Sequence, residues 1–300
     1  GISLRFLNEC PIILMIVSPR FIGHSFNNLK DIPFAAASMM SIYYIVKFLD
    51  ELPKRKISTM IMLAISITFA IDVRVGGLIV IAYFALFALV YYIWKYKSLK
   101  KEFRKVFLWS LGIVFVGYFL SVLFWPYALV SPIDNPISTL KGMTNFSASL
   151  RQIFEGQAQW SDVLPWYYTP KFILMTIPMV VILGAIAGLV LMFKNKKQWF
   201  YYFVLLFSFI FPIFWIIINK SNVYGGWRHA IFTYPPLVAF SALGIESLVK
   251  AYDKKYWRII VLSAFGLLLI NPVIHSIKNS SHRYVYFNEL SGGIDRKSTR

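Results

Sequence analysis

Residues 199–218 read Trp-Phe-Tyr-Tyr-Phe-Val-Leu-Leu-Phe-Ser-Phe-Ile-Phe-Pro-Ile-Phe-Trp-Ile-Ile-Ile, without a single charged side chain. A helix of about 20 apolar residues crosses the hydrocarbon core of a bilayer, which is about 30 Å thick. The run is continuously apolar, whereas the strands of a membrane β-barrel alternate between apolar and polar residues. The stretch therefore predicts a transmembrane α-helix.

Similar runs recur along the whole chain. Hydrophobic residues make up 58% of the sequence and charged residues only 15%, whereas soluble domains carry about a quarter charged residues. The sequence therefore predicts an all-α, polytopic membrane protein. Cys10 to Val17 is interpreted as part of a truncated ninth span. The eight complete predicted spans are 32–49, 57–71, 75–94, 106–124, 172–193, 199–218, 231–249 and 259–275.

The loop charges predict the orientation of these spans. Lysine and arginine concentrate in alternate loops, at 54–56, 95–105, 194–197 and 250–258. Short basic loops remain in the cytosol, which predicts a multi-pass protein of the plasma (inner) membrane. Contact of these loops with anionic lipid accounts for much of the net charge of +18, and no nucleic-acid partner is needed. The predicted outer segments are 18–31, 72–74, 125–171, 219–230 and the tail after 275.

The first outer segment concentrates ionisable groups at the start of a span. Residues 18–34 read Ser-Pro-Arg-Phe-Ile-Gly-His-Ser-Phe-Asn-Asn-Leu-Lys-Asp-Ile-Pro-Phe. Arg20, His24, Lys30 and Asp31 lie within a dozen positions and lead directly into the apolar run. Ionisable groups are costly beside the hydrocarbon layer, so they indicate a functional site.

A second basic pair lies on the same predicted face. The 219–230 loop contains Gly225-Gly226, followed by Trp227, Arg228 and His229. Arg228 either extends to interfacial water or binds an anion, because a guanidinium presents a planar fork of donors that suits phosphate. Two basic clusters on one face favour anion binding.

The long outer loop ends in aromatic residues, among them Trp166, Tyr167 and Tyr168. Such rings form an aromatic belt at the level of the lipid headgroups. The alternative interpretation is a platform that holds a sugar or a prenyl chain. Between the aromatic ends of the loop, residues 145–154 and 155–160 are predicted to form short helices on the membrane surface.

The sequence implies no cofactor. It contains no Walker-type phosphate loop, no HExxH motif and no Gly-x-Ser-x-Gly elbow. The four histidines are not spaced as metal ligands, and Cys10 is the only cysteine. Asp31 alone is too little for a divalent-ion site, which needs several oxygen ligands. No metal site is predicted, and metal dependence is left open.

Three motifs together carry a family resemblance. They are the 18–34 segment, Gly-Gly-Trp-Arg-His-x-x-Phe-x-Tyr-Pro from residue 225, and Asn-Glu-Leu-x-Gly-Gly from residue 288. With them the chain resembles the bacterial glycosyltransferases that are similar to protein O-mannosyltransferases and the lipid A aminoarabinose transferase. Their fold class is called GT-C. The resemblance implies one transmembrane domain over 1–294, truncated at its N-terminus. The final Asp-Arg-Lys-Ser-Thr-Arg (295–300) matches a translated sequencing adapter and is predicted to be non-native.

The resemblance implies transfer of a sugar from a polyprenyl-phosphate carrier to a hydroxyl of a protein, lipid or glycan at the outer face. Asp31 matches the acidic position that heads a span in the family, and is the candidate catalytic residue. The candidates for binding the donor phosphate are Arg20, His24, Lys30, Arg228 and His229.

In one respect the chain departs from the family. The usual catalytic acids, an Asp or an Asp-Glu pair in the first outer loop, would lie upstream of residue 1. The chain as given is therefore expected to be inactive.

Two other functions remain open. A transporter or flippase of lipid-linked intermediates would use spans broken by proline, and Pro178 and Pro212 interrupt two spans. A membrane scaffold without chemistry would leave Asp31 and the two basic clusters as coincidence.

Overall fold

The computed structural model describes residues 2–144, 148–193, 198–252 and 254–292. The predicted non-native segment 295–300, and Lys194 to Lys197 of one predicted cytosolic loop, lie outside these ranges. The chain divides into two compact units. The split unit comprises Gly1–Ile32 and Ser147–Arg300, and the central unit comprises Pro33–Phe146.

The described elements are almost all helical. The N-terminal part of the split unit contains α1 (Ile2–Val17) and α2 (Pro19–Asn27). Helix α3 (Asp31–Asp50) begins in the split unit and continues into the central unit. The remaining helices of the central unit are α4 (Ile57–Val73), α5 (Leu78–Trp94), α6 (Tyr96–Leu99), α7 (Phe103–Phe124), α8 (Pro126–Val130) and α9 (Asp134–Thr144).

The chain then returns to the split unit through a β-hairpin of β1 (Arg151–Phe154) and β2 (Gln157–Trp160). The helices that follow are α10 (Tyr168–Thr176), α11 (Met179–Met192), α12 (Trp199–Ile218), α13 (Tyr234–Lys250), α14 (Lys255–Leu268) and α15 (Ile270–Lys278). Short 3₁₀-helices cover Val75–Gly77, Lys100–Glu102, Arg228–Thr233, Ser280–His282 and Glu289–Ser291.

Six helical segments of the described residues are long and apolar enough to cross a membrane. Each contains all or nearly all of one predicted span, so six of the eight predicted spans are confirmed as membrane-length helices. Helix α4 matches the predicted span 57–71 but has only 17 residues. The six segments are Asp31–Asp50, Val75–Trp94, Tyr96–Phe124, Trp199–Ile218, Arg228–Lys250 and Lys255–Lys278.

The predicted span 172–193 falls on two helices, α10 and α11, rather than on one. The chain bends by 110° between α10 and α11. Proline disfavours a helical conformation in the residue before it, and Ile177, which precedes Pro178, is extended, with φ −93° and ψ 147°. Pro178 also lacks the N–H that would continue the helix. Pro212, by contrast, lies within the unbroken helix α12.

The prediction of a surface helix over 155–160 was wrong, because these residues belong to the hairpin of β1 and β2. Glu155 and Gly156 form its turn with φ of 53° and 75°. Two positive φ values in succession suit the two-residue turns that match the twist of paired strands. Arg151–Phe154 is likewise a strand rather than a helix, while Asn145 to Ser147 lie outside the described residues.

Small residues allow close helix packing in the split unit. A Cβ on Gly244 of α13 would lie 2.1 Å from the carbonyl oxygen of Gly184 in α11, and a Cβ on Gly188 would lie 2.8 Å from the ring of Phe240. Gly184 and Gly188 form the Gly-x-x-x-Gly spacing that brings membrane helices together. The sequence analysis did not use this signal.

Candidate functional site

Asn28 joins α2 to α3 and positions the Asp31 carboxylate. Its backbone N–H donates to the carbonyl of His24 at 2.9 Å, which closes α2. Its Oδ1 accepts from the backbone N–H of Asp31 at 3.0 Å, as an N-cap does. Its Nδ2 donates to Oδ2 of Asp31 at 2.7 Å. The sequence analysis overlooked Asn28, although an asparagine three residues before a helix-heading acid is a readable capping signal.

Asp31 and Arg228 form an ion pair within the split unit. Nε of Arg228 lies 3.5 Å from Oδ2 of Asp31, and the Asp31 side chain is largely buried. The Arg228 guanidinium is more exposed and also lies over the Tyr224 ring, 5.2 Å from its centroid. The two residues were predicted to belong to one site from separate loops, and the structure brings them together.

Arg20 is a buried cation without a counterion among the described residues. Its relative exposure is 8%, and its Nε has no hydrogen-bond partner. No carboxylate of the described residues forms an ion pair with it. Burial lowers the pKa of the Arg20 guanidinium to about 10, so it stays charged at neutral pH. An unpaired buried charge is costly, and an anionic ligand would offset that cost.

Gly226, the second glycine of the pair in the 219–230 loop, packs directly against Arg20. Gly225 and Gly226 have φ of 69° and 70°, a conformation that side chains other than glycine rarely adopt. A Cβ on Gly226 would stand 2.8 Å from Nη1 of Arg20. The backbone N–H of Gly226 donates to the hydroxyl of Tyr168 at 3.0 Å, and that of Gly225 donates to Oε1 of Gln152 at 2.8 Å.

Trp227 anchors the same loop to helix α10. Its side chain is buried, and its indole N–H donates to Oγ1 of Thr176 in α10 at 2.7 Å. The aromatic side chain therefore fixes the loop to the first arm of the bent helix pair. The residue that follows, Arg228, is thereby directed toward Asp31.

His24 lies among the charged groups of the site. Burial and, to a lesser extent, Arg20 lower the pKa of its imidazole to about 4, while Asp31 opposes this shift and Arg228 adds slightly to it. His24 is therefore neutral at pH 7 and offers one donor and one acceptor nitrogen, instead of the positive charge that its predicted role assumed.

The other two predicted phosphate ligands are less closely joined to the site. Lys30 is exposed, and no ion pair or hydrogen bond joins its ammonium group to the other described residues of the site. The His229 ring packs edge-on against Tyr224, with centroids 4.5 Å apart. Tyr224 thus contacts both Arg228 and His229, and the sequence analysis did not single it out.

The three predicted platform residues occupy different environments. Trp166 is 70% exposed, and Tyr167 is partly buried and reaches Oε2 of Glu155 with its hydroxyl at 3.4 Å. Tyr168 is buried against Phe154 and Phe172. Its hydroxyl holds the Gly226 backbone, so its observed role is to position the loop. Only Trp166 and Tyr167 retain surface for a ligand to cover.

Asn288 stabilises the break between α10 and α11. Pro178 cannot donate to the carbonyl of Leu174, and Asn288 Nδ2 donates to that oxygen at 2.6 Å and to the carbonyl of Ile177 at 2.7 Å. The backbone N–H of Asn288 donates to the carbonyl of Met175 at 2.8 Å. The Asn-Glu-Leu motif therefore supplies donors to a broken helix, a role that its loop-like composition did not indicate.

The described residues contain no group of three or more His, Cys, Asp or Glu side chains that could hold a metal ion. At neutral pH the described site combines two guanidinium groups, one carboxylate and a neutral imidazole. This set can bind an anion at Arg20 and can accept a proton at Asp31.

Comparisons with models of protein families, with curated proteins and with solved structures find no match to this chain. A functional assignment therefore depends on the chemistry of the site and on the motif resemblance.

Proposed function

We propose that this chain is the membrane part of a glycosyltransferase that takes a sugar from a polyprenyl-phosphate carrier. The observation that carries the proposal is Arg20, a buried guanidinium that lacks a counterion among the described residues. Like the paired Asp31 and Arg228, it acts electrostatically on His24. The phosphate of a lipid-linked donor supplies the missing negative charge. Its prenyl chain lies in the bilayer, which accounts for a site at the end of a membrane-length helix.

The residues of the site have distinct roles in this proposal. Arg20 binds the donor phosphate, and Arg228 completes the positive field around it. The acceptor oxygen forms a bond to the anomeric carbon of the sugar, and the bond from that carbon to the phosphate oxygen breaks. Its electron pair leaves with the phosphate, while the acceptor proton passes to the Asp31 carboxylate. Neutral His24 can hydrogen-bond to the phosphate or to a sugar hydroxyl.

The fold class GT-C, the outer-face location and a hydroxyl-bearing acceptor belong to the same proposal. They are supported by the three motifs and by the distribution of basic loops. In the family, further acids of the first outer loop take part in catalysis. Transfer is therefore to be measured on a form that carries those acids, while donor binding can be measured on this chain.

A matched pair of variants tests the proposal. Asp31→Asn keeps the shape of the side chain but removes its basicity, so we expect transfer to stop while polyprenyl-phosphate binding persists. Arg20→Met should abolish binding of polyprenyl phosphate. Retained transfer in Asp31→Asn would contradict the role of Asp31, and retained binding in Arg20→Met would contradict the phosphate site.

The bent helix pair supports a second candidate function, a transporter or flippase of lipid-linked intermediates. Broken helices line the substrate sites of many transporters, and α10 and α11 meet at 110°. The carbonyls at this break are, however, occupied by Asn288, and α12 continues through Pro212. Movement of a labelled lipid-linked sugar across proteoliposomes, without transfer to an acceptor, would favour this alternative.

A further inference from the structure

The β-hairpin of the long loop has two unlike faces. Its register places Phe154 opposite Gln157 and Arg151 opposite Trp160. Phe154 is buried against Tyr168 and Val223. Alternate residues of a strand point to opposite faces, so Ile153 lies on the face away from this core.

We propose that the hairpin outer face, formed by Arg151, Ile153, Ala158 and Trp160, lies in the headgroup layer of the membrane. Ile153 is 69% exposed and Trp160 is 53% exposed. Such side chains are favoured at a lipid surface, where the indole and the arginine stem contact the acyl boundary and their polar ends remain hydrated.

The segment after the hairpin carries further exposed apolar side chains and leads into helix α10. Val163 and Trp166 are 66% and 70% exposed, and they lie on the segment that leads from β2 into α10. Helix α10 is the first arm of the bent pair, and the two arms together are long and apolar enough to cross a membrane. The hairpin is therefore attached directly to a helix expected to enter the bilayer.

The hairpin is held firmly enough to present one face. Ser161 and Leu150 bond reciprocally at its base, with the Ser161 N–H donating to the Leu150 carbonyl and the Leu150 N–H donating to Oγ of Ser161, each at 2.9 Å. A rigid pair of strands with one buried face cannot rotate its apolar outer face away from water. Contact with lipid removes that face from water.

Charge favours a lipid surface over an acidic or a basic protein partner. The described strand residues contain one charged side chain, Arg151, and it lies on the outer face. The carboxylate of the turn residue Glu155 is already bound by Lys171. One positive charge among apolar and aromatic groups complements the sparse negative charge of mixed phospholipid headgroups.

This surface is connected to the candidate site by hydrogen bonds. Gln152, between Arg151 and Ile153, accepts from the backbone N–H of Gly225 at 2.8 Å, and Gly226 lies against Arg20. Seating the hairpin on lipid would therefore also fix the height of the glycine loop above the bilayer. The inference depends on the membrane-length helices and is independent of the proposed transferase activity.

Site-directed fluorescence tests the inference on the full chain. Cys10 is the sole cysteine, so a Cys10→Ala background accepts a single environment-sensitive label at Ile153→Cys. Gln157→Cys provides the matched control, because Gln157 is exposed but belongs to the opposite face by register. The labelled proteins are reconstituted in phosphatidylethanolamine–phosphatidylglycerol vesicles that contain lipids spin-labelled near the headgroup or near the bilayer centre.

We expect the label at Ile153 to be quenched by the headgroup spin label at least about twofold more strongly than the label at Gln157, and the reverse order for aqueous iodide. Equal, strong iodide quenching at both sites would overturn the inference, because the outer face would then be in water. Protection of Ile153 from both lipid and iodide would also overturn it, because a protein would then cover the face.

Discussion

Asn288 and Arg20 both have buried polar side chains, but they differ in how far their polar atoms are hydrogen-bonded. Asn288 is fully buried and donates three hydrogen bonds to the carbonyls of Leu174, Met175 and Ile177. Arg20 is 8% exposed, yet its Nε has no hydrogen-bond partner. Buried polar groups are nearly always satisfied. The contrast supports a structural role for Asn288 and the proposed ligand-binding role of Arg20.

The elements around the two residues explain the difference. The break at Pro178 leaves carbonyls without helical donors, and Asn288 supplies the missing hydrogen bonds. No described acceptor reaches Nε of Arg20, and the backbone N–H groups of the neighbouring Gly225-Gly226 loop already donate to Gln152 and Tyr168. If this interpretation is correct, removing the two side chains should change stability in opposite directions.

The largest effect is expected for Asn288→Asp. The variant keeps the size of the side chain but loses the Nδ2 donor, so two carbonyls lose their partner and face a carboxylate. We expect it to lower the free energy of unfolding by about 3–5 kcal/mol, as measured by thermal or denaturant unfolding in detergent.

Leu290→Ala is the matched control, because Leu290 is a neighbour with a 62% exposed side chain. It should change stability by about 0.5 kcal/mol or less. If Asn288→Asp were as stable as this control, the two hydrogen bonds from Nδ2 would not support the break, and the comparison with Arg20 would fail.

A smaller effect of opposite sign is expected for Arg20→Met. Methionine fills a similar volume without a charge, so the ligand-free protein should gain about 2 kcal/mol of stability. The same variant should lose the stabilisation that polyprenyl phosphate gives to the wild type through binding to the folded state. Unfolding midpoints with and without the lipid measure both effects.

Arg104→Met is the control for the change of residue type, since Arg104 is exposed in the central unit. We expect no change in stability beyond about 0.5 kcal/mol and no change in lipid binding. A loss of stability in Arg20→Met would show instead that Arg20 has structural partners that outweigh the cost of its burial.

The sequence was informative where a property belongs to a continuous run or to a helix end. The span 199–218 was predicted to its exact bounds because twenty uncharged residues have no other stable environment. Arg20, Asp31 and Arg228 were assigned to one site because each lies at the predicted outer end of an apolar run. That reasoning needs hydropathy and loop charge alone.

The sequence was uninformative where a contact joins distant segments or where one residue changes the chain direction. The partners of Asn288 lie 111 and 114 residues away, and no local pattern identifies them. Mean hydropathy cannot distinguish Pro178, which lies at a helix break, from Pro212, which lies within a continuous helix. The neutral state of His24 depends on burial and on Arg20 and Arg228, which only the folded structure brings together.

The smallest expected effect is on the pH dependence of the free energy of unfolding. The pKa of His24 is about 4 in the folded protein, below the unfolded value of about 6.5. Between these values the unfolded chain binds a proton that the folded chain does not, so stability falls as pH falls from about 6.5 to 4. Because His24 is partly exposed, solvent screening limits the loss to about 1–2 kcal/mol over this window.

The variant His24→Gln removes this titration and keeps a polar side chain, so the wild type should lose stability relative to it as the pH falls. Asp31, Arg20 and Arg228 are the other charged groups facing His24, and they remain in both proteins. An anion bound at Arg20 would offset one of the charges that keep His24 neutral, so polyprenyl phosphate should reduce the difference between the two proteins. A difference that persists unchanged with saturating lipid would mean that the anion binds elsewhere, and would separate Arg20 from the ligand that its missing counterion implies.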